Sequence, residues 1–177
     1  MLFPILLSFV VGQRFIELII AKRNEKQLKN SGAIEFGADH YPWIVLLHIG
    51  FFTVLLSEVL LLNRELSSLW LIWLLLFTLA QIGRIWVISS LGKHWNTKII
   101  VLPSADVVVK GPYKFMKHPN YAIVATEILV LSLLFNAYFT AIIFSLLNLW
   151  MMRVRIPIEE QALREHTAYF SVFKQKQ

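Results

Sequence analysis

The chain has 177 residues, enough for one domain, of which 57% are apolar and only 16% charged. Soluble domains sit nearer about 45–50% and about 25%, so this composition excludes an ordinary water-soluble globule and asks for a lipid solvent. There is no cysteine, which rules out disulfides and thiolate metal sites, and the net charge of +6 comes mostly from residues between apolar runs, which fits anionic lipid head groups better than nucleic acid.

Five apolar segments follow in chain order. A helix needs about 20 apolar residues to cross a bilayer core. Leu2–Ala21 meets that length. Arg14 and Glu17 interrupt it and no basic stretch precedes it, so it is expected to be a span and not a cleavable signal. Trp43–Leu62 is a second span, and Ser68–Leu91 a third, long enough to cross with tilt. Tyr121–Phe135 and Tyr138–Met152 are shorter, each about 22 Å at the helical rise. Only Asn136 and Ala137 separate them, so they read as a tight hairpin. Pro157 suits the first turn of a new helix, about Pro157–Phe173, with Glu159 and Glu160 at its positive end. That helix is too polar to cross and is expected at the cytosolic surface. The fold class is therefore an all-α integral membrane protein of about five spans, the last two a hairpin, plus a cytosolic C-terminal helix. It reads as a single domain over 1–177, with three N-terminal spans in 1–91 and a second half in 92–177.

Between the third and fourth spans, Gly92–Pro119 is the longest loop, with short extended segments expected at Ile99–Leu102 and Val107–Lys110. Lys and Arg crowd the loops after the first, third and fifth spans, whereas the opposite side holds only Arg64. The positive-inside rule then predicts a cytosolic C-terminus and an outside N-terminus.

Four charges inside the spans lie at similar depth. Arg14, Arg84 and Glu127 lie about 10 Å from the cytosolic ends, and Glu17 is shallower, one turn from Arg14. Structural ion pairing between helices accounts for them; so does a polar floor to a cavity opening toward the cytosol. His48 reads as a hydrogen-bonded packing residue, and Glu58 as a carboxylate snorkelling at the outer interface.

Two cytosolic segments flank the hairpin: Val107 to Tyr121, containing Gly111-Pro112-Tyr113 and His118-Pro119-Asn120-Tyr121, and Arg153 to Leu163, containing Arg155 and Glu159-Glu160. A short hairpin brings its two ends to one side of the membrane, so these segments are expected to meet. Together they offer rings, an imidazole, a carboxylate pair and guanidinium groups, a set that suits a sulfonium cofactor: carboxylates for amino and hydroxyl groups, aromatic faces for a cation, arginine for an anionic oxygen. Each piece alone is also read as a turn, a helix start, a dipole feature or a membrane anchor.

At these residues, and over roughly Leu91 to Phe173, the chain resembles the isoprenylcysteine carboxyl methyltransferase family. The combination of Gly111-Pro112-Tyr113, His118-Pro119-Asn120-Tyr121, Arg155 and Glu159-Glu160 in that order carries the resemblance. It implies S-adenosylmethionine as cofactor, without a Rossmann domain, and cofactor contacts from Val107, Val108, Tyr113, His118, Pro119, Asn120, Tyr121 and Glu159. It implies that Arg155 orients the anionic acceptor. Lys98 stands where relatives carry a neutral polar residue, so that contact is not carried over; Lys117 replaces the usual Arg before His-Pro, keeping the charge and losing the planar fork.

The chain looks most like the short bacterial branch, some of whose members resemble alkylpyrone O-methyltransferases. A hydroxypyrone enolate is a vinylogous carboxylate, so Arg155 can hold it as it would hold a prenylcysteine carboxylate, and both acceptors carry a lipid tail. The expected partners are such an acceptor and membrane lipids, with no nucleic acid. The rivals are a phospholipid N-methyltransferase, a nicotinamide-dependent membrane reductase, and a non-enzymatic transporter or assembly factor, the last disfavoured by the absence of internal repeats.

Overall fold

The computed structural model describes residues 2–169. Its five long helices are α1 (Leu2–Asn30), α2 (Tyr41–Leu61), α3 (Trp70–Leu91), α4 (Pro119–Leu134) and α5 (Tyr138–His166). Four helical segments, at 2–30, 38–61, 70–94 and 138–166, are long and apolar enough to cross a membrane, and α4 is a shorter apolar helix. The protein is an all-α integral membrane protein, as composition requires.

The burial pattern is that of a chain dissolved in lipid. Along α3, Leu71, Leu75, Ile82 and Ile85 are more than half exposed, while Phe77, Ala80, Arg84 and Val87 are buried. The two sets alternate at helical spacing, with the charge inside and the aliphatic face outside, the reverse of a soluble helix.

The helix boundaries have local causes. α1 runs nine residues past the apolar stretch, to Asn30, because Lys22 to Lys29 contains good helix formers and nothing that stops a helix. It ends at Ser31-Gly32, where Gly32 takes φ +90 and Ala33 N donates back to the Leu28 carbonyl at 3.0 Å. α2 opens with Pro42 in its first turn. It closes on Asn63 in the left-handed region, with Arg64 N donating to the Val59 carbonyl. α4 and α5 form the expected hairpin through Phe135, Asn136 and Ala137, with Asn136 at φ 52 and Ala137 N bonded to the Ser132 carbonyl at 2.9 Å.

Three expectations are corrected. Pro157 does not begin a new helix: it lies inside α5, which continues to His166. Arg153 to Ile156 offers no capping residue to stop the preceding helix, and one proline removes only one backbone donor. The part of the expected segment beyond residue 169 lies outside the described residues. Second, Val107–Lys110 is irregular, not extended in a sheet, and the partner of Ile99–Leu102 is a segment not foreseen. β1 (Ile34–Phe36) pairs antiparallel with β2 (Ile99–Val101), Ile34 opposite Val101 and Phe36 opposite Ile99. Third, Glu58 does not snorkel. It is 6% exposed and accepts from Thr140 N and Thr140 Oγ1, both at 2.8 Å, and from Phe139 N at 3.3 Å. It thereby caps the first turn of α5, where free backbone donors and the helix dipole favour a carboxylate. Arg64 Nη2 adds a charged bond at 3.2 Å.

The chain folds into two compact units, each discontinuous in sequence. One comprises 2–38, 91–108 and 157–169 of the described residues; the other 39–90 and 109–156. In the first unit, Ile99 and Val101 of the ribbon bury against Ala162, with Phe36, Ile158 and Leu163 packed on them. A two-stranded ribbon is marginal alone, and this apolar contact sustains it. Asn24 Nδ2 holds the Gly92 and Trp95 carbonyls at 3.0 and 2.8 Å. Beside the ribbon, Lys29 and Lys98 bridge Glu25 and Glu35, with Lys98 Nζ at 2.9 Å from Glu25 and 3.1 Å from Glu35.

In the second unit, α2, α3, α4 and residues 138–156 of α5 pack together. Its central tie is Arg84, 1% exposed, which makes a two-pronged bond to Glu127: Nε to Oε1 at 2.7 Å, and Nη2 to Oε2. Gln81 Nε2 adds a bond to the same carboxylate at 2.9 Å. In the first unit, Arg14 pairs with Glu17 of its own helix at 2.6 Å. The expected pairing between helices is seen at Arg84–Glu127, whereas Arg14–Glu17 lies within one helix. His48 is hydrogen-bonded to the Ile44 carbonyl within its own helix, as a packing histidine should be.

Candidate active site

Within the second unit, three local devices position candidate residues. The first is the turn Gly111–Lys114. Gly111 has φ +59, and a Cβ there would press into Ser90 Oγ and lie 3.0 Å from Trp86 Nε1. Only glycine permits both the left-handed backbone and the close seat on the end of α3. Phe115 follows, its ring 6.5 Å from that of Trp86. Pro112 is buried, while Tyr113 is half-buried.

The second device is the start of α4. His118 occupies the position before the helix, with φ −127, and Pro119 opens the first turn where its missing donor costs nothing. Tyr121 N donates to the His118 carbonyl at 3.2 Å. The His118 and Tyr121 rings lie 5.5 Å apart, tilted by 46°. Asn120 turns its Oδ1 into the protein, where it is shielded from solvent and has no hydrogen-bond partner.

The third is Arg155, 8% exposed. Its Nε donates to Tyr121 Oη at 2.7 Å across thirty-four positions of sequence. The expected meeting of the two segments flanking the hairpin is realised at this bond. The guanidinium carbon lies 6.0 Å from the Tyr121 ring centroid, and with Nε on the phenol oxygen the fork sits toward the ring's polar rim.

The first unit holds the remaining residues. Val107 and Val108 are half-buried and irregular. They follow a turn docked on the C-terminal end of α5 by Ser104 N, which donates to the His166 carbonyl at 2.9 Å. Glu159 is half-buried on α5. Tyr169 is 5% exposed. Burial, then the negative charges of Glu160 and Glu159, push its phenol far above the ordinary range, so it keeps its proton at any physiological pH. Lys98 is engaged by Glu25 and Glu35. Bond formation with Glu25 raises its ammonium pKa, and the Lys29 bond holds the Glu35 carboxyl below its usual range.

One residue of the second unit escaped the sequence reading altogether. His40 stands immediately before α2 and makes no capping bond. Its Nε2 is shielded from solvent with no hydrogen-bond partner. No spacing or motif in the sequence marks it; only coordinates expose an orphaned nitrogen.

Among the described residues no group of three or more His, Asp or Glu could hold a metal ion. Within the second unit, the unpartnered amide oxygen of Asn120 and the rings of Tyr113 and Tyr121 are groups that suit an organic cation carrying hydrogen-bond donors.

The isoprenylcysteine carboxyl methyltransferase family model matches residues 71–165. The chain is 48% identical over 166 residues to the uncharacterized protein YpbQ of Bacillus subtilis strain 168, covering 94% of this chain and 99% of that protein. It is 31% identical over 155 residues to an uncharacterized protein of Haemophilus influenzae, covering 87% and 90% respectively. The matched region contains the glycine-proline-tyrosine turn, the His118 to Tyr121 helix start, Arg155 and the glutamate pair. The chain belongs to the isoprenylcysteine carboxyl methyltransferase family, and is by that membership a membrane methyltransferase.

Proposed function

We propose that the protein is an S-adenosylmethionine-dependent O-methyltransferase acting on an acidic oxygen of a lipid-tailed acceptor. The observation that carries the reading is the Tyr121–Arg155 bond, which fixes a buried guanidinium beside the helix start that bears the family's histidine-proline motif. When bound, S-adenosylmethionine supplies a methyl group on a cationic sulfur. In this reading the faces of Tyr113 and Tyr121 attract that cation. Glu159 engages amino or ribose hydroxyl groups, and Asn120 Oδ1 accepts a hydrogen bond from the same ligand. His118 donates to the cofactor's carboxylate, and Val107, Val108 and Pro119 supply apolar contacts.

Arg155 is proposed to hold the acceptor anion. A planar, permanently charged fork suits a carboxylate, or the vinylogous carboxylate of an alkylpyrone enolate, and Tyr121 Oη prevents it from turning away. An acid of this kind is already ionised near neutrality, so no strong base is required. Rate enhancement then comes from positioning and exclusion of water. The acceptor's tail is recruited from the bilayer, and the Lys- and Arg-rich loops lie on the cytosolic side of a bacterial cell membrane, with the N-terminus outside.

Calorimetry in detergent tests the residue roles. Glu159→Ala and Asn120→Ala are expected to weaken S-adenosylmethionine binding, each by about tenfold, the scale of one lost hydrogen bond to a charged or buried group. Arg155→Ala is expected to leave that affinity within about twofold and to abolish most methyl transfer. Equal loss of cofactor affinity in the Arg155 variant would reject its assignment to the acceptor. Methyl transfer to phosphatidylethanolamine in place of the acids would favour the N-methyltransferase, and a difference spectrum with NADPH would favour a reductase.

A further inference from the structure

We infer that the turn Gly111–Lys114 and the two residues after it form a docking surface for anionic phospholipid: Phe115 and Met116 enter the leaflet beside the end of α3, and Lys110 and Lys114 hold its phosphate head groups. The inference does not depend on the methyl-transfer reading. Its first support is exposure. Phe115 is 77% exposed and Met116 47%, side by side and outside any long helix. Other exposed rings, Phe15, Phe139 and Trp150 among them, lie on helices long enough to span, where lipid covers them. The exposure does not come from a slack loop. Phe115 N and Met116 N both donate to the Pro112 carbonyl, at 3.0 and 3.2 Å. Pro112 is buried, and Gly111 sits hard against Ser90 at the end of α3. The turn is pinned to the helix with its two apolar side chains held outward.

The second support is depth. The Phe115 ring lies 6.5 Å from that of Trp86. Trp86 is five residues before Leu91, the last residue of α3, so it lies about 7 Å below the helix end, and Phe115 is its neighbour there. Aromatic rings of membrane proteins gather at this level, where apolar chains meet head groups. Trp86 also continues the outward face of Ile82 and Ile85 at helical spacing, so Phe115 widens a surface that already faces lipid. The third support is charge. Lys110 and Lys114 are exposed, and among the described residues neither joins an ion pair. A lysine stem can lie along apolar neighbours while its ammonium meets phosphate. Two ammonium groups beside an inserted ring recognise a surface that is apolar within and negative at its rim. An anionic leaflet has both properties, whereas a zwitterionic head group sets a cation beside its phosphate. Tyr113 lies within the anchored turn, so lipid contact fixes its level relative to the head groups.

The test uses the full chain in nanodiscs. The protein has no cysteine, so Met116→Cys carries a single bimane label. The discs are phosphatidylcholine with a minor share of lipid bearing a nitroxide near the head-group end of its acyl chain, supplied either on phosphatidylglycerol or on phosphatidylcholine. The expected result is strong quenching by lipid nitroxide, weak quenching by aqueous acrylamide, and about a fivefold preference for the phosphatidylglycerol probe, the pull of about one lysine at a membrane surface. Lys110→Gln with Lys114→Gln should abolish the preference and keep the depth, and salt should reduce the preference in the parent protein. The thermal midpoint of the two proteins in neutral detergent should be the same. Quenching by acrylamide and not by lipid places the turn in water and overturns the inference. Equal quenching by the two lipid probes, or a preference that survives loss of both lysines, overturns it as well. Shielding from both quenchers marks a protein partner or a second copy of the chain on this face, and overturns it too.

Discussion

At the scale of single residues, function is set by side chains whose neighbours leave them one arrangement. Gly111 is the strictest case, because φ +59 and the Ser90 and Trp86 side chains exclude any Cβ. Gly111→Ala is expected to cost at least about 1–3 kcal/mol, the range for a strained backbone held by its surroundings; the thermal midpoint in detergent reads it. Tyr121 carries two separable roles. Tyr121→Phe keeps the ring and removes the oxygen that fixes Arg155 Nε. Cofactor affinity should therefore hold, while turnover of an acidic acceptor falls about tenfold, the scale of one charged hydrogen bond. Loss of cofactor affinity in that variant would mean the phenol, and not the ring face, contacts the cofactor. The sequence made the His118 to Tyr121 stretch and Arg155 legible, because a proline-opened helix and a guanidinium at the far end of a short hairpin must come to one end of it. His40 and Tyr169 were not legible: each matters through burial, and burial of a lone imidazole or phenol leaves no periodic trace.

At the scale of elements, apolar run length found all five helices, with shifts of a residue or two at most termini. Where the sequence reading failed, a local signal was outweighed by its context. Pro157 looks like a helix start, yet the helix before it has no reason to end. Glu58 looks like an interfacial charge, yet two unpaired donors of α5 need it. The buried Arg84–Glu127 pair joins α3 to α4, and breaking it strands a charge. Glu127→Ala is expected to destabilise by about 3–5 kcal/mol, whereas Arg84→Met with Glu127→Leu should lie near wild type or above it. Thermal unfolding in one detergent compares the two, and a double variant as damaged as the single would show that the pair does more than join helices.

The ion network beside β1 and β2 gives a pH signature. Lys29, then Lys98, lower the Glu35 pKa. Its contribution is therefore present above the unfolded value of about 4.3 and is lost as pH falls through the lower folded value. Lys98 is raised, first by Glu25, so its contribution is complete below about 10.4 and fades as pH rises past the higher folded value. Glu35→Gln should lower the midpoint at neutral pH and leave the acid end almost unchanged, so that the acid limb of a midpoint-versus-pH curve flattens, with the difference shrinking in salt.

At the scale of the whole molecule, lipid is the solvent that explains the inside-out burial of α3 and the charge placed within the bundle. Composition alone conveyed that much. The division into two units that each gather distant stretches of chain was not legible, because no composition shift or linker marks it. Orientation is testable directly, since the chain has no cysteine to interfere. Glu65→Cys should be labelled by an impermeant maleimide in intact cells, and Lys114→Cys only after permeabilisation; the reverse pattern would invert the proposed topology.

The most direct measurement of the central claim is transfer of label from methyl-labelled S-adenosylmethionine to a total lipid extract of the host by the purified protein. The prediction is a lipid-soluble product carrying the label on oxygen, made by wild-type protein and nearly lost in Arg155→Ala. Label on a nitrogen head group, or no transfer by protein that binds the cofactor, would contradict it.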